Sequence, residues 1–334
     1  MGIIEVNHLS KVYRNTIKDP GLKGAFKHLI KPRYEDKIAV SDVNFSVEAG
    51  EAVAYIGSNG AGKSTTIKML TGILVPTSGE ISVNGLNPYK DRMENTKNIG
   101  VVFGQRTQLW WDIPVLESFQ LLKDIYEIPS DEYKRSLDLF CDILDLNQFI
   151  NQPARKLSLG QRMRADIAAS LLHNPPIVYL DEPTIGLDVA VKEKVHEFLK
   201  SMNAKRQTTI LLTSHDLNDI ERICNRIIII DKGTVIYDDA ISKIKNELAA
   251  ERKINLVVRD ANILLETLLK DLPDLTITRE DGTKIGIMFN QNKVSAVTIL
   301  DRLLKTTDIK DFSIEEPSIE QIIKKVYNGT FLKG

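Results

Sequence analysis

The chain has 334 residues, a length that predicts about two domains rather than one compact core. Hydrophobic residues make up 43% and charged residues 27%, which excludes a wholly disordered, collagen-like or integral membrane chain. With 44 Lys and Arg against 45 Asp and Glu, the formal net charge is -1; no overall field would hold nucleic acid, and we predict no nucleic-acid partner.

The cysteines and the N-terminus bear on the compartment. Cys141 and Cys224 lie far apart without paired spacing, so we expect core packing rather than a disulfide framework or a zinc site. No run approaches the roughly 18 uninterrupted apolar residues of a membrane span. The first residues, Met1–Glu5, lack the layout of a signal peptide. We therefore expect a cytoplasmic chain, unless a partner recruits it to a surface.

Short β-branched runs alternate with helical patterns from residue 1 to about 244, which predicts an α/β fold with a largely parallel, buried sheet. The predicted strands of this sheet are Val53–Ile56, Ile99–Phe103, Ile177–Leu180, Thr208–Leu212 and Arg226–Ile230. Two successive helices, Leu116–Tyr126 and Asp131–Leu146, break the alternation. They predict a helical subdomain, about residues 106–172, inserted in the α/β core.

A different pattern begins near residue 250, after a charged stretch that we interpret as a linker at residues 245–250. Strand and helix patterns follow in the order βαββαβ, with Asp281-Gly282 as a strong hairpin signal. This order predicts a ferredoxin-like accessory domain at residues 251–334. Its predicted elements are Lys253–Arg259, Ala261–Leu272, Leu275–Arg279, Lys284–Phe289, Val294–Lys305 and Ile309–Ile314, followed by a last helix, Ile319–Tyr327.

A glycine-rich loop lies between the first predicted core strand and an apparent helix, as in a phosphate-binding P-loop. Its residues are Gly57, Ser58, Asn59, Gly60, Ala61, Gly62, Lys63, Ser64 and Thr65. Glycines let backbone N–H groups face phosphate oxygens, and the helix N-terminus adds partial positive charge. Lys63 is predicted to reach the β- and γ-phosphates and Ser64 to bind Mg²⁺. The competing interpretation is a glycine turn that merely opens a helix.

Two carboxylates, Asp181 and Glu182, end the predicted strand Ile177–Leu180. This is the layout of a Walker B element, in which Asp181 can hold Mg²⁺ through water. Glu182 is then free to polarise the attacking water as a general base. Acidic pairs at strand ends are often only solvated, but the P-loop upstream favours the catalytic interpretation.

The motif Leu157-Ser158-Leu159-Gly160-Gln161-Arg162 stands just before a predicted helix that runs to Leu172. It resembles the signature motif of ATP-binding-cassette (ABC) ATPases. In that family the Ser hydroxyl, glycine N–H groups and helix N-terminus of one subunit bind the γ-phosphate held by the P-loop of another. The resemblance implies that Ser158, Gly160 and Gln161 bind ATP. Leu159 occupies a position where the family most often has Gly.

Further residues match elements of the same family in order. Tyr13 matches the aromatic that stacks on adenine, and Gln105 the glutamine that links Mg²⁺ to the membrane partner. Asp188 matches the subunit-contact loop, and His215 the γ-phosphate switch. The competing interpretation of each one alone is an exposed Tyr, a loop Gln, a capping Asp or a core His. Their joint order favours the resemblance, which covers roughly residues 3–240.

The resemblance implies a fold, an activity and cofactors. The expected fold of residues 1–244 is a P-loop ABC ATPase domain with an antiparallel N-terminal β-subdomain beside the mostly parallel core. The expected activity is ATP hydrolysis with ATP and Mg²⁺ as ligands. The catalytic residues that the resemblance implies are Glu182, His215 and Lys63. The metal-binding residues that it implies are Ser64, Gln105 and Asp181.

About two dozen residues, Asn15–Asp36, separate Tyr13 from the next predicted strand at Lys37–Val40, where many family members have only a few. Residues 21–33 carry four basic residues and no acid, with Leu and Ile at helical spacing. Such a segment favours an anionic membrane surface or a partner groove. A short helix packed on the domain with a solvated Lys face is the alternative. ATPases of polysaccharide and drug exporters resemble this chain in carrying a helix at this place.

Both tryptophans, Trp110 and Trp111, follow Gln105 at the entry to the helical subdomain. In the family this region receives the coupling helix of the permease, and aromatic anchors suit such a groove. Core packing is the competing explanation, and exposure of the two rings would separate them.

These features together favour the ATPase subunit of an ABC exporter, peripheral on the cytoplasmic face of the membrane. The implied partners are separate transmembrane permease subunits and a second ATPase subunit, identical or homologous. The accessory domain would steady the dimer or sense a ligand. The alternatives are an importer ATPase with a regulatory C-terminal domain and a soluble ABC ATPase that acts on ribosomes or DNA.

Overall fold

The computed structural model describes residues 2–17, 33–104, 106–244, 251–259, 269–281, 283–315 and 326. Contacts between residues divide the chain into two compact units, Met1–Asp239 and Ala240–Gly334, and each unit is described by itself. The finer predicted division, with its linker at residues 245–250, stays a prediction because those residues lie outside the described ones.

The described residues from Ile4 to Ala240 contain nine strands and seven α-helices, with two short 3₁₀ helices at Leu146–Gln148 and Ala154–Lys156. The strands are β1 (Ile4–Ile17), β2 (Arg33–Val47), β3 (Ala52–Gly57), β4 (Ser78–Val83), β5 (Ile99–Phe103), β6 (Ile177–Asp181), β7 (Thr209–Thr213), β8 (Arg226–Asp231) and β9 (Thr234–Ala240). The helices are α1 (Lys63–Leu70), α2 (Arg92–Lys97), α3 (Val115–Ile125), α4 (Ser130–Leu144), α5 (Leu159–Leu171), α6 (Val189–Arg206) and α7 (Leu217–Ile223).

Six strands form the core sheet in the order β5-β6-β7-β3-β8-β9. The pairs β5–β6, β6–β7, β7–β3 and β3–β8 are parallel, and these strands are apolar runs buried almost throughout because helices cover both faces of such a sheet. The predicted α/β class is confirmed. The order places the carboxyl ends of β3, β6 and β7 side by side, which is the edge where ligands bind in open α/β sheets.

The N-terminal sheet is three-stranded and antiparallel, in the order β2-β1-β4. The predicted insertion Asn15–Asp36 is too wide: β1 continues to Ile17 and β2 begins at Arg33, with Thr16 paired to Tyr34. The residues that extend the β1–β2 pairing are mostly polar, so the sequence shows no apolar alternation that would predict these strand ends. The basic segment at residues 21–33 lies outside the described residues, apart from the backbone of Arg33.

The inserted helices are present as predicted, α3 and α4 following β5 with no strand between them. Helix α4 packs on α6, where Phe140 and Phe198 meet edge to face with ring centroids 5.1 Å apart, and α3 packs on α5. Phe119 and Leu144 are also fully buried. The signature-motif helix α5 runs from this subdomain toward β6, so it connects the subdomain to the core sheet.

The second unit contains a four-stranded antiparallel sheet in the order β11-β12-β10-β13. Its strands and helix are β10 (Glu251–Val258), β11 (Thr276–Asp281), β12 (Lys284–Asn290), α8 (Ala296–Thr306) and β13 (Ile309–Glu315). One face of the sheet packs on Ile299 and Leu303 of α8. This strand order is that of a ferredoxin-like unit. Most of the predicted helices Ala261–Leu272 and Ile319–Tyr327 lies outside the described residues.

Within the described part of the chain, no helix combines the length and the apolar character that a membrane crossing requires. Cys141 and Cys224 are buried free thiols, which agrees with their predicted place in the core.

Candidate nucleotide site

The glycine-rich loop connects β3 to α1, and its backbone leaves no room for side chains at two glycines. A Cβ on Gly57 would lie 2.4 Å from the carbonyl oxygen of Ile230, and one on Gly62, at φ +110°, would lie 2.5 Å from that of Ala39. Gly60 also has a positive φ, +82°, but a Cβ there would meet nothing within 4 Å. No side chain caps the N-terminus of α1. The uncapped N–H groups can therefore serve an anion.

Lys63 begins α1 and is folded back over the loop. Its ammonium nitrogen donates hydrogen bonds to the carbonyl oxygens of Gly57, at 2.7 Å, and Ser58, at 3.1 Å. The residue is only 7% exposed. Burial lowers the pKa of Lys63, and the charges of Glu182 and Asp181 act in the opposite direction. A cation that the protein holds at this cost is placed to meet a strong anion.

The side chain of Asp181, at the end of β6, joins the P-loop to β7. Its two carboxylate oxygens accept hydrogen bonds from Ser64 Oγ, at 3.2 Å, and from Thr213 Oγ1, at 2.6 Å. Asp181 and Thr213 are directly paired across β6 and β7. A hydroxyl and a carboxylate side by side are oxygen ligands of the type that Mg²⁺ prefers, and Mg²⁺ usually keeps several waters of its own. The described residues contain no cluster of three or more His, Cys, Asp or Glu that would form an all-protein cage.

Glu182 follows β6 in a left-handed conformation, with φ +54°, which non-glycine residues rarely adopt. Its Oε1 lies 2.9 Å from Nε2 of His215, and its backbone N–H donates to Thr213 O at 3.0 Å. Gly104 packs against the Glu182 backbone, where a Cβ would lie 2.5 Å from the carbonyl oxygen. An open pocket beside these residues is lined by Ser64, Gly104, Arg106, Asp181 and Glu182, among others. The carboxylate can therefore meet a water molecule beside Ser64.

Ser158 is the N-cap of α5. Its Oγ accepts from the Gln161 N–H at 3.2 Å, and the Gln161 side chain accepts from the Ser158 N–H at 2.9 Å, which forms a capping box. A Cβ on Gly160 would meet only ordinary contacts, the nearest at 3.5 Å from Val191. Packing within the chain therefore does not require a glycine there. In the described part of the chain, no hydrogen bond joins Ser158, Gly160 or Gln161 to the P-loop.

The remaining predicted residues fall in different places. Tyr13 lies on β1, half-buried, with the Lys11 ammonium 5.5 Å from its ring centroid. Asp188 is the N-cap of α6 and accepts from the Val191 N–H at 2.9 Å. Gln105 lies outside the described residues. The structure thus brings the P-loop, Asp181, Glu182 and His215 together at one sheet edge, whereas the signature residues lie on a separate helix N-terminus.

Comparisons with known proteins decide the family. The family model described as "ABC transporter" matches residues 40–185. The ABC transporter ATP-binding protein NatA of Bacillus subtilis is 33% identical over 64% of this chain and 87% of its own length. The chain belongs to the ABC transporter ATP-binding proteins. As in other ABC ATPase domains, its ligands are ATP and Mg²⁺ and its reaction is ATP hydrolysis.

Two other relatives of this ABC ATP-binding protein differ in what their names state. The methionine import ATP-binding protein MetN 2 of Enterococcus faecalis is 30% identical over 72% of this chain and 73% of its own length. The linearmycin resistance ATP-binding protein LnrL of Bacillus subtilis is 28% identical over 90% of this chain and 97% of its own length.

A solved structure supports the same family. It is a dimeric ATP-binding cassette in a post-hydrolysis state with bound ADP and Pi. Its sequence is 28% identical to this chain, and the superposition has a TM-score of 0.59. The match covers 71% of this chain and 98% of the solved chain. The predicted family and fold of this ABC ATP-binding protein are confirmed. The roles of its individual site residues stay predictions.

The sequence motifs did not reveal a buried network behind the site of this ABC ATP-binding protein. Asp219 of α7 accepts hydrogen bonds from Ser214 Oγ, at 2.9 Å, from His196 Nε2, at 2.8 Å, and from the Thr184 hydroxyl. Thr184 follows Glu182 by two residues, and Ser214 precedes His215. Asp219 therefore fixes the backbone on both sides of the Glu182–His215 pair. No local sequence pattern predicts this network, because its four residues lie at separate places in the chain.

Replacing Asp219 with alanine is expected to lower the free energy of unfolding by about 3–5 kcal/mol, because the buried Thr184 hydroxyl and His196 imidazole would lose their acceptor. Denaturant unfolding measures the loss, and Asn218→Ala, an exposed change on the same helix, should stay within about 0.5 kcal/mol of the wild type. Equal stability of the two variants would contradict the prediction.

The same carboxylate gives the stability a pH dependence. Burial acts to raise the pKa of Asp219, but hydrogen bonds from His196, Thr184 and Ser214 outweigh it and hold the pKa below the ordinary value of 3.8. Because the folded pKa is the lower one, the unfolded chain takes up the proton first. The contribution of Asp219 is therefore complete above the ordinary pKa and is lost as the pH falls through the folded pKa.

Proposed function

We propose that the chain is the ATPase subunit of an ABC exporter, bound to separate permease subunits at the cytoplasmic face of the membrane. Two copies, or one copy and a homologue, would close head to tail around two ATP molecules. The observation that carries the dimer is the exposed N-terminus of α5, where Gly160 has no packing reason to be a glycine. A close approach by an external ligand supplies that reason.

A second observation supports the proposed dimer. The P-loop holds Lys63 and an uncapped helix start on one surface, whereas Ser158 and Gly160 have no bond to that loop within the described chain. In the proposed dimer, one molecule would supply the P-loop and its neighbour would supply Ser158 and Gly160 for the same triphosphate. The relative with bound ADP and Pi is a dimer, which is consistent with this arrangement.

The proposed chemistry uses the groups at the edge of the core sheet. The loop and Lys63 would bind the phosphates, and Ser64, Asp181 and Gln105 would hold Mg²⁺, which neutralises phosphate charge. Glu182 would accept a proton from the attacking water, and His215, 2.9 Å from Glu182, would orient both the carboxylate and the γ-phosphate. Because Thr213 and Ser214 tie this loop to Asp181 and Asp219, the imidazole is held near its working position.

The direction of transport is proposed from the extent of similarity. The linearmycin resistance protein matches 90% of this chain and so includes most of the second unit, whereas the methionine import protein matches 72%. The basic segment at residues 21–33 is the other argument for an exporter with a membrane-boundary helix. ATP-driven uptake of cargo into inverted membrane vesicles that contain the chain and its permease tests the direction. ATP-driven uptake only into right-side-out vesicles would favour the importer alternative.

The exposed tryptophan pair supports a docking surface for the permease. Trp110 is 40% exposed and Trp111 51% exposed, which argues against the core-packing alternative. Large aromatic rings on a surface are the usual anchors of a protein interface. Leu121 and Ile125 of the adjoining helix α3 are exposed as well. We propose that this surface receives the coupling helix of the permease.

Replacing both tryptophans with serine should weaken permease binding by up to about 10³-fold, because truncating a hot-spot aromatic costs about 2 kcal/mol, or about 30-fold, for each residue. The measurement is titration of the purified chain into the permease in lipid nanodiscs. Met93→Ser, which removes a highly exposed apolar side chain of α2, is the matched control and should bind like the wild type. Undiminished binding of the double variant would place the interface elsewhere.

A further inference from the structure

A carboxylate buried in helix α5 has no part in the nucleotide site. Asp166 is only 5% exposed and lies two turns beyond Ser158 on the same helix. Burial raises the pKa of Asp166 to about 6, although hydrogen bonds from Gln108 and Thr107 and the charge of Arg162 act to lower it. Because the folded pKa exceeds the ordinary value, the folded chain holds this proton more tightly than the unfolded chain. The ionised form that prevails above pH 6 therefore works against folding.

The contacts of Asp166 show what this costly group does. One oxygen, Oδ1, accepts from Thr107 Oγ1 at 2.8 Å and from the Gln108 N–H at 3.0 Å. The Gln108 side chain donates in turn to the Asp166 carbonyl oxygen at 2.8 Å. Thr107 Oγ1 also accepts from the Leu109 N–H at 3.1 Å. A single carboxylate oxygen therefore organises the turn at Thr107–Leu109, which leads to the tryptophan pair.

The tryptophan pair is tied to the same helix by its own contacts. The Trp111 carbonyl oxygen accepts from the Arg155 N–H at 3.0 Å, shortly before α5 begins. The guanidinium of Arg162, on α5, lies 5.9 Å from the centroid of the Trp111 ring. The Trp110 N–H donates to Ser118 Oγ of α3 at 3.3 Å. The backbone of the pair thus also contacts α3 and the segment just before Ser158, in addition to the bonds that Asp166 makes to Thr107 and Gln108.

We propose that Asp166 is a positioning residue that fixes the Thr107–Trp111 segment to α5, so that the tryptophan pair and Ser158 move as one piece. If the permease displaced the tryptophans, Ser158 would move with them and its contact with the γ-phosphate bound to the neighbouring subunit would change. In the opposite direction, closure of the dimer on ATP would move the tryptophans against the permease. This inference rests on the proposed docking role of the tryptophans. Charge-assisted hydrogen bonds suit the task, because they are shorter and stronger than those of a neutral acceptor.

The test uses the tryptophans as reporters, since Trp110 and Trp111 are the only two in the chain. Intrinsic emission of the full chain is recorded with and without MgATP for the wild type, Asp166→Ala and Asp112→Ala. Asp112 is the matched control, an exposed carboxylate beside Trp111 that pairs with Arg155 at 2.9 Å. We expect the wild type and the control to shift on MgATP, and Asp166→Ala to lose most of the shift while its ATP affinity stays within about twofold.

Light scattering on the same samples separates this inference from the proposed function. A wild type that dimerises on MgATP without an emission shift would overturn the inference, as would a dimerising Asp166→Ala with the full shift. A wild type that never dimerises would count against the proposed function instead. In that case, amide hydrogen exchange at residues 106–112 tests whether Asp166 holds the Thr107–Trp111 segment on α5. Exchange there should be about tenfold faster in Asp166→Ala than in Asp112→Ala. Equal exchange would overturn the inference.

Discussion

The Glu182→Gln variant is expected to bind MgATP with unchanged affinity and to hydrolyse it at least about 10²-fold more slowly. Glutamine keeps the size of the side chain and can still meet His215, which lies 2.9 Å away in the wild type, but it cannot accept a proton from water. The hydrogen bonds of the P-loop and of Asp181 do not involve the Glu182 side chain. Binding and turnover should therefore separate.

Phosphate release and equilibrium ATP titration measure the two quantities, and light scattering should show a dimer that persists in MgATP because the nucleotide is not consumed. Glu193→Gln is the control, since it removes the charge of an exposed carboxylate paired with Arg222. Its turnover should stay within about twofold of the wild type. Unchanged turnover in Glu182→Gln would remove this residue from the role of general base.

The Lys63→Ala variant is expected to lose ATP affinity itself, by about 10²-fold or more. The ammonium is preplaced by its bonds to the carbonyl oxygens of Gly57 and Ser58, and each charge-assisted bond to a phosphate contributes about 1.5–3 kcal/mol. A water molecule that takes the place of the ammonium could donate to these carbonyl oxygens but would bring no charge to the phosphates.

Calorimetric titration with ATP measures this loss, and a thermal unfolding scan shows whether the loop still folds. The control is Lys97→Ala, which removes an exposed lysine near Glu94 and should leave the affinity within about twofold. A variant at position 63 that is folded and binds ATP normally would contradict the phosphate-cradle interpretation.

The parts of the site that the sequence predicts are those that local spacing encodes. The glycines, Lys63 and Ser64 follow one strand, and Asp181 and Glu182 follow another, so the carboxyl edge of a parallel sheet brings them together. The second unit was predictable for a similar reason, because an Asp-Gly turn between alternating strands sets a hairpin.

The parts that escaped prediction depend on which elements become neighbours. Thr213 reaches Asp181 only because β7 lies beside β6. Asp219 and Asp166 each bind segments more than twenty residues away, and no spacing within their own helices distinguishes them from solvated carboxylates. The extension of β1 and β2 escaped as well, since it is stabilised by pairing and by the Arg14 guanidinium, 4.8 Å from the Tyr34 ring centroid, rather than by an apolar face.

The capping box at Ser158 has a consequence for how fast two subunits can engage. One acceptor site of the Ser158 hydroxyl is used by the Gln161 N–H, which leaves the O–H proton available as a donor. In the proposed dimer, capping of the helix would use an acceptor site of this hydroxyl and contact with a neighbour's triphosphate would use its proton, so the two interactions would not compete. The helix N-terminus at Ser158 is already folded in the single subunit. Association of two subunits would therefore need no refolding of this helix end, and no such step would slow it.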